Sequence, residues 1–235
     1  AMIYPAFILV GLLAVAVILM VYVIPNLTSM LTETGMQLPL ATRIIIAISN
    51  FLQNYLILLI LTLVGLIIAV RYYLRTEVGR YQLDTFKLKM PIFGRLFKYI
   101  YLVRFSRTLS TLLKGGVTIT RALEITANVV GNVVYRDLIL ATLESINDGN
   151  PLSTVMEASN DVPKMVPQML SVGERTGRID SVLDKITDFY GRESSAMLAN
   201  LSTLMEPIIM VIMGVGVGIM VAAILMPMYN MANQF

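Results

Sequence analysis

Charge is absent from three long stretches of this chain: Ala1 to Thr32, Ile44 to Val70, and Pro207 to Phe235. Each holds an apolar block close to the ~20 residues that an α-helix needs to cross the hydrocarbon core of a bilayer. The pattern predicts three transmembrane helices, over 1–25, 44–71 and 205–229. The first is too long for a signal-peptide core and lacks a basic leading region and a small-residue cleavage site. The second carries Ser49, Asn50, Gln53 and Asn54 early on, which places its first turns at the interface. In the third, Tyr229 suits the headgroup boundary.

Between the second and third stretches the pattern changes. From about Thr76 to Leu204 apolar residues recur at helical rather than alternating spacing. Leu102, Phe105, Leu109, Leu112 and Leu113 form one such stripe, with Arg104, Arg107, Thr111 and Lys114 as its polar counterpart. Gly115 and Gly116 end that helix, and Thr118 or Thr120 can cap the next through a side-chain oxygen. In "NDGNPLS", Gly149 stops a helix, Asn150 is placed to cap its successor and Pro151 takes the first helical position. The expected fold is an all-α membrane protein, with a bundle of about six helices over 72–204 between the second and third crossings.

Composition agrees: 57% hydrophobic and 14% charged residues, with a mean hydropathy of +0.76, do not suit a soluble globule. All but Arg43 of the 18 Lys and Arg residues lie between Arg71 and Arg192. The positive-inside rule therefore makes the bundle cytoplasmic and puts the 26–43 loop and the 230–235 tail outside. With no Cys or His, thiol nucleophiles, imidazole bases and His/Cys zinc sites are excluded. No G-x-x-x-x-G-K-[ST] run is present, so ATP hydrolysis by this chain is not expected. The expected sets of catalytic, cofactor-binding and metal-binding residues are empty. The first helix starts almost at residue 1, without a charged flank or an initiating Met, so a preceding N-terminal portion is expected.

The charged stretch "MLSVGERTGRIDSVLDKI" lies between two apolar stripes, Val166, Met169, Leu170 and Gly173 before it and Val182, Leu183, Ile186, Phe189 and Tyr190 after it. It reads as a helix corner, with Gly177 as C-cap, Asp180 or Ser181 as N-cap, and Gly173 allowing close backbone approach. Glu174 can pair with Arg175 or Arg178. Asp180, Asp184 and Asp188 form an acidic ridge, facing either a cationic partner or solvent. Glu206 and Pro207 stand at the mouth of the third apolar stretch, where charge is costly unless paired. Gly214 and Gly218 suit close helix packing better than a nucleotide loop, because no strand precedes them. The basic run from Arg71 to Arg107 can hold anionic membrane lipids; nucleic acid is not expected.

"TLLKGGVTITRALEIT", "VPQMLSVGERTGRIDSVL" and "LMEPIIMVIMGVGVGIMVAAILMPMYN" together resemble the type II secretion system F domain family, as does "VIPNLTSMLTETGMQLPLATRIIIAIS". This family comprises inner-membrane platform proteins of type II secretion, type IV pilus and competence systems. The resemblance implies a non-enzymatic homo-oligomer that couples a hexameric cytoplasmic assembly ATPase to pilin or pseudopilin polymerisation and contacts other inner-membrane assembly proteins. On it, Gly173, Glu174 and Gly177 match the helix-corner motif, Gly116 the turn before the third bundle helix, and Glu206 with Pro207 the start of the last crossing. Family members usually have a second cytoplasmic domain before the first crossing. Its absence here implies a truncated chain, a fragmentary gene product, or a protein completed by another chain.

Two other functions are open to a chain of this composition. A membrane transporter or channel subunit needs few helices if it oligomerises, but almost no ionisable residue lies inside the predicted crossings. An intramembrane hydrolase lacks histidine, a G-x-S-x-G run and paired intramembrane carboxylates.

Overall fold

The computed structural model describes residues 3–25 and 40–232, and every regular element among them is helical. In chain order these are α1 (Ile3–Ile18) with a π-helical turn (Leu19–Val23), α2 (Leu40–Tyr73), α3 (Glu77–Lys89), α4 (Phe93–Lys114), α5 (Ile119–Val129), α6 (Val133–Asn147), α7 (Leu152–Ala158), α8 (Met165–Thr176) and α9 (Ile179–Ala232). Two compact units divide the chain: residues 70–198, and residues 1–69 with 199–235.

The first unit is the bundle of α3 to α8 with the start of α9. Its core takes Leu102, Phe105 and Leu109 from α4, Leu123 from α5, Ile139 from α6, Leu152 and Met156 from α7, Val166 and Leu170 from α8, and Leu183 and Ile186 from α9. Burying each such side chain stabilises the fold by about 1.5–3 kcal/mol. The stripes predicted from helical spacing are the faces that pack, except at Phe189, which is exposed beside buried Tyr190. Thr118 does precede α5 with extended backbone, yet its side chain makes no capping bond; its carbonyl accepts from the Ala122 N–H at 2.9 Å.

The link from α3 to α4 is strained. Ile92 has φ 67° and ψ −57°, and the Phe93 N–H donates to the Pro91 carbonyl at 2.8 Å. Together these make a γ-turn of the rare, strained kind, on a β-branched residue.

The second unit holds the apolar helices. Among the described residues, two stretches are long and apolar enough to cross a membrane, Ile46–Tyr73 and Ile179–Ile219; none of the most apolar window of the former is buried by protein, and 6% of the latter's. A core helix of a soluble protein would be covered. The part of α9 up to Glu206 carries Asp180, Asp184, Lys185, Asp188, Arg192 and Glu193, so the uncharged part is the stretch that follows Glu206. Helix α9 passes through Pro207 and runs to Ala232 without a break at 205. Likewise α2 begins at Leu40, earlier than the expected Ile44, while the expected loop residues 26–39 lie outside the described residues.

The first apolar segment is helical, but its apolar helix over Val10–Val23 is shorter than the other two. Its π-turn has a specific consequence. The Ile24 N–H bonds back to the Leu19 carbonyl, and Pro25 has no N–H with which to continue that pattern to Met20. Ser49 of α2 donates to the Met20 carbonyl, and Gln53 Nε2 donates to the Val21 carbonyl at 2.7 Å. Two of the polar residues expected at the interface thus bond to backbone carbonyls of the π-helical turn.

Candidate functional site

The stretch from Met169 to Ile186 is a corner between α8 and α9, built from backbone geometry. Gly177 adopts the left-handed conformation (φ 66°, ψ 18°). Its N–H reaches the Glu174 carbonyl at 3.3 Å, and the Arg178 N–H reaches the Gly173 carbonyl at 2.9 Å. This pair of bonds is a Schellman cap, which satisfies carbonyls that the helix end would leave open. Gly173 is buried where a Cβ would stand 3.1 Å from Val182 Cγ2 and 3.2 Å from Ile179 Cα. The turn therefore requires Gly177, and the approach of the two helices requires Gly173. Helix α9 starts at Ile179, so Asp180 lies in its first turn rather than at the expected N-cap position.

Glu174 does not turn toward Arg175 or Arg178, both of which are exposed. Its carboxylate reaches the first turn of α7, where it accepts from the Leu152 N–H, from the Ser153 N–H at 3.4 Å and from the Ser153 hydroxyl at 3.0 Å. It fills the capping role expected of Asn150, and Pro151 is the N-cap residue rather than the first helical one. A carboxylate at a helix N-terminus serves the same open N–H groups that a local cap serves and adds favourable interaction with the helix dipole.

The acidic ridge meets a cation of its own chain. Asp184 forms an ion pair with Lys114 at the end of α4 and accepts from the Ser110 hydroxyl at 2.6 Å; Ser110 also donates to the Asp180 carbonyl at 3.2 Å. Hydrogen bonds from Lys114 and then Ser110 hold the Asp184 carboxyl below its ordinary range. The bond to Asp184, reinforced by the charges of Asp184, Asp180 and Asp188, holds the Lys114 ammonium above its own. Asp188 is exposed.

Asp84 escaped the sequence reading. It is 3% exposed, accepts from the Val133 N–H at 3.0 Å and pairs with Lys87 at 2.9 Å, while its carbonyl accepts from Asn132 Nδ2 at 3.3 Å. Asn132 itself caps α6 by accepting from the Tyr135 N–H at 3.2 Å. An acid from a distant helix thus serves the start of α6, as Glu174 serves α7. The only local signal was a lone Asp three residues before a Lys in a basic run. Tyr135 was missed as well: its buried hydroxyl donates to the Asp161 carbonyl at 2.7 Å, and burial pushes its ionisation far above the usual range.

The remaining predicted positions lie apart from this network. Gly116 follows α4 with φ 79°. Glu206 and Pro207 are exposed on α9. Among the described residues no atom comes within 4 Å of a Cβ added at Gly214 or Gly218, whereas one at Gly216 would meet Leu12 Cδ2 at 3.6 Å. Within this chain it is Gly216 that faces a neighbour, because successive helical residues point ~100° apart. No group of Asp and Glu able to hold a metal ion forms among the described residues. The arrangement ties α7, α4 and α9 to the corner.

Comparison with known proteins points the same way. The family model described as "Type II secretion system (T2SS), protein F" matches residues 105–227. The chain is 38% identical over 231 residues to a type IV pilus assembly protein PilC of Thermus thermophilus, covering 98% of this chain and 57% of that protein. It is 32% identical over 233 residues to the PilC of Myxococcus xanthus, covering 99% and 56%. To a type II secretion system protein F of Pseudomonas aeruginosa it is 31% identical over 234 residues, covering 100% and 58%. The chain thus spans less than two thirds of the length of these relatives.

Proposed function

We propose that this chain, which belongs to the type II secretion system protein F family, is part of the inner-membrane platform of a type IV pilus or type II secretion machine. In this reading the bundle is cytoplasmic and receives force from a hexameric assembly ATPase. Three crossings, including α1, hold a homo-oligomer in the membrane, with the C-terminus outside. Pilin or pseudopilin subunits are the passengers.

The observation that carries the reading is α9. One helix contributes Leu183, Ile186 and Tyr190 to the bundle core, carries Asp184 to Lys114 and Ser110, and continues as the uncharged stretch after Glu206. A helix rises ~1.5 Å per residue with its hydrogen bonds internal, so it transmits displacement along its axis better than a loop would. The Glu174 cap and the Gly173 contact fix the corner from which it starts. Of the ridge, exposed Asp188 is the member open to a cationic partner surface.

The test is a helix break between core and membrane. Ser195 is exposed on α9, and Ser195→Pro interrupts the helix at a cost of about 3 kcal/mol. Membrane insertion should persist while surface pili or secreted cargo disappear in the host cell. Assembly at the unmodified level would overturn transmission through α9. Photocrosslinking from position 188 should capture the ATPase or another assembly protein.

A further inference from the structure

A second feature lies away from the corner, between the start of α3 and the start of α6. A cavity of about 660 Å³ opens there, walled by Arg75, Arg80 and Arg136 with Val78 and Tyr81. A smaller hollow of about 180 Å³ adjoins it and shares Arg80, Val133 and Arg136. Glu77 and Asp137 also line the larger cavity, but Asp137 is engaged: its Oδ1 accepts from Arg136 Nε at 3.1 Å and Nη2 at 2.9 Å. Arg75 and Arg80 are exposed and make no ion pair among the described residues. The capping and core network uses none of the three arginines.

Arg136 has its counter-charge in Asp137, so the guanidinium groups left at the hollow without an ion pair among the described residues are Arg75 and Arg80. A guanidinium offers a planar fork of donors that matches phosphate oxygens. The size argues against a bare inorganic anion as the natural occupant: a water molecule's share of liquid volume is ~30 Å³, and pockets of roughly 300–1,000 Å³ take whole small molecules. The walls add to this. Val78 is 63% exposed and Tyr81 50% exposed, an apolar surface beside a cationic one.

Chain position supplies the source. The apolar stretch of α2 ends at Tyr73, and Arg75 follows two residues later, at most ~7 Å of chain. If Ile46–Tyr73 crosses the bilayer, Arg75 stands at headgroup depth on the cytoplasmic side, where anionic lipids collect and attract basic residues. We propose that this cavity is a binding site for the phosphate headgroup of an anionic phospholipid, held by Arg75 and Arg80 with Val78 and Tyr81 against the glycerol region. The site depends on α2 crossing the membrane and not on the assembly role, so it can fail or stand independently of that reading.

The chain, purified in detergent, is incorporated into nanodiscs of phosphatidylcholine with or without phosphatidylglycerol, and retained lipid is counted by native mass spectrometry. Phosphatidylglycerol should be retained preferentially, and affinity should fall about fivefold for each of Arg75→Gln and Arg80→Gln and about 25-fold for the double variant. Both positions are exposed, and unaltered thermal unfolding of the variants confirms their fold. Arg107→Gln, which removes an exposed charge elsewhere on the bundle, should leave retention unchanged. Equal loss in Arg107→Gln would reduce the effect to diffuse attraction and overturn the site. Equal retention of both lipids, or inorganic phosphate bound as tightly as the lipid with the same arginine dependence, would overturn the lipid assignment.

Discussion

The Ser153 hydroxyl donates to the Glu174 carboxylate at 3.0 Å, joining α7 to the corner that launches α9. The same carboxylate accepts from the Leu152 N–H, so one side chain closes the start of one helix from the end of another. Loss of Glu174 therefore loosens the bundle where α9 enters it.

Glu174→Ala should destabilise the purified chain by about 2 kcal/mol, the upper part of the range for lost helix caps. Glu174→Gln keeps an acceptor but not the charge and should cost about half as much. Unfolding of detergent-solubilised protein, followed by circular dichroism, checks the order. Equal stability of both variants and the unmodified chain would mean that water serves α7 as well.

Gly173→Ala should cost about 1–3 kcal/mol, because the new methyl group meets Val182 Cγ2 and the Ile179 backbone. Adding Val182→Ala should recover only part of the loss, since Ile179 Cα stays at 3.2 Å. Full recovery would show that the backbone contact is slack. Gly177→Ala should cost about 1 kcal/mol through its left-handed φ alone, and Val182→Ala should not rescue it.

The Asp184–Lys114 pair predicts a pH window. The folded carboxyl titrates below its ordinary 3.8, so its contribution is complete above that value and is lost as pH falls through the folded pKa. The folded ammonium titrates above its ordinary 10.5, so its contribution is complete below that value and is lost as pH rises through the folded pKa. The stability difference between the unmodified chain and Asp184→Asn should therefore plateau between the two ordinary values and shrink on either side. Both side chains are about half exposed, so salt should diminish the plateau. A difference independent of pH and salt would assign the effect to packing.

Asp84→Ala should be among the most damaging single changes, at about 3 kcal/mol. It leaves the buried Val133 N–H without its acceptor and the partly exposed Lys87 without its counter-charge. Unfolding midpoints in denaturant check it, and an effect below that of Glu174→Ala would show that the α6 start finds another acceptor.

Ile92→Gly should stabilise the chain by about 1 kcal/mol. Relief of a strained turn is worth roughly 1–3 kcal/mol, set against the entropy that glycine loses on folding. Ile92 is 68% exposed, so little burial is forfeited. A lower unfolding midpoint for the glycine variant would show that the γ-turn carries no strain.

Much of the architecture was legible from local pattern. The apolar stretches, the stripe of Leu102, Phe105 and Leu109, and the stop at Gly177 follow from periodicity and from the conformations glycine alone adopts readily. The caps were only half legible. Asn150, Thr118 and Asp180 have the right chemistry in the right places, but α7 is capped by Glu174, α5 has no side-chain cap, and α9 starts one residue before Asp180. A cap is a competition between nearby and distant acceptors, and sequence displays only the nearby ones.

What the sequence alone determined is the distribution of apolar surface: hydrophobic periodicity names the faces that pack, and the charge-free stretches name the apolar helices, because both depend on local composition. Only the tertiary structure decided which polar groups pair. Glu174 with α7, Asp84 with α6, Asp184 with Lys114, and Ser49 with the carbonyl of Met20 join residues far apart in the chain. A hydrogen bond depends on distance and direction within a few tenths of an ångström, and packing alone sets these.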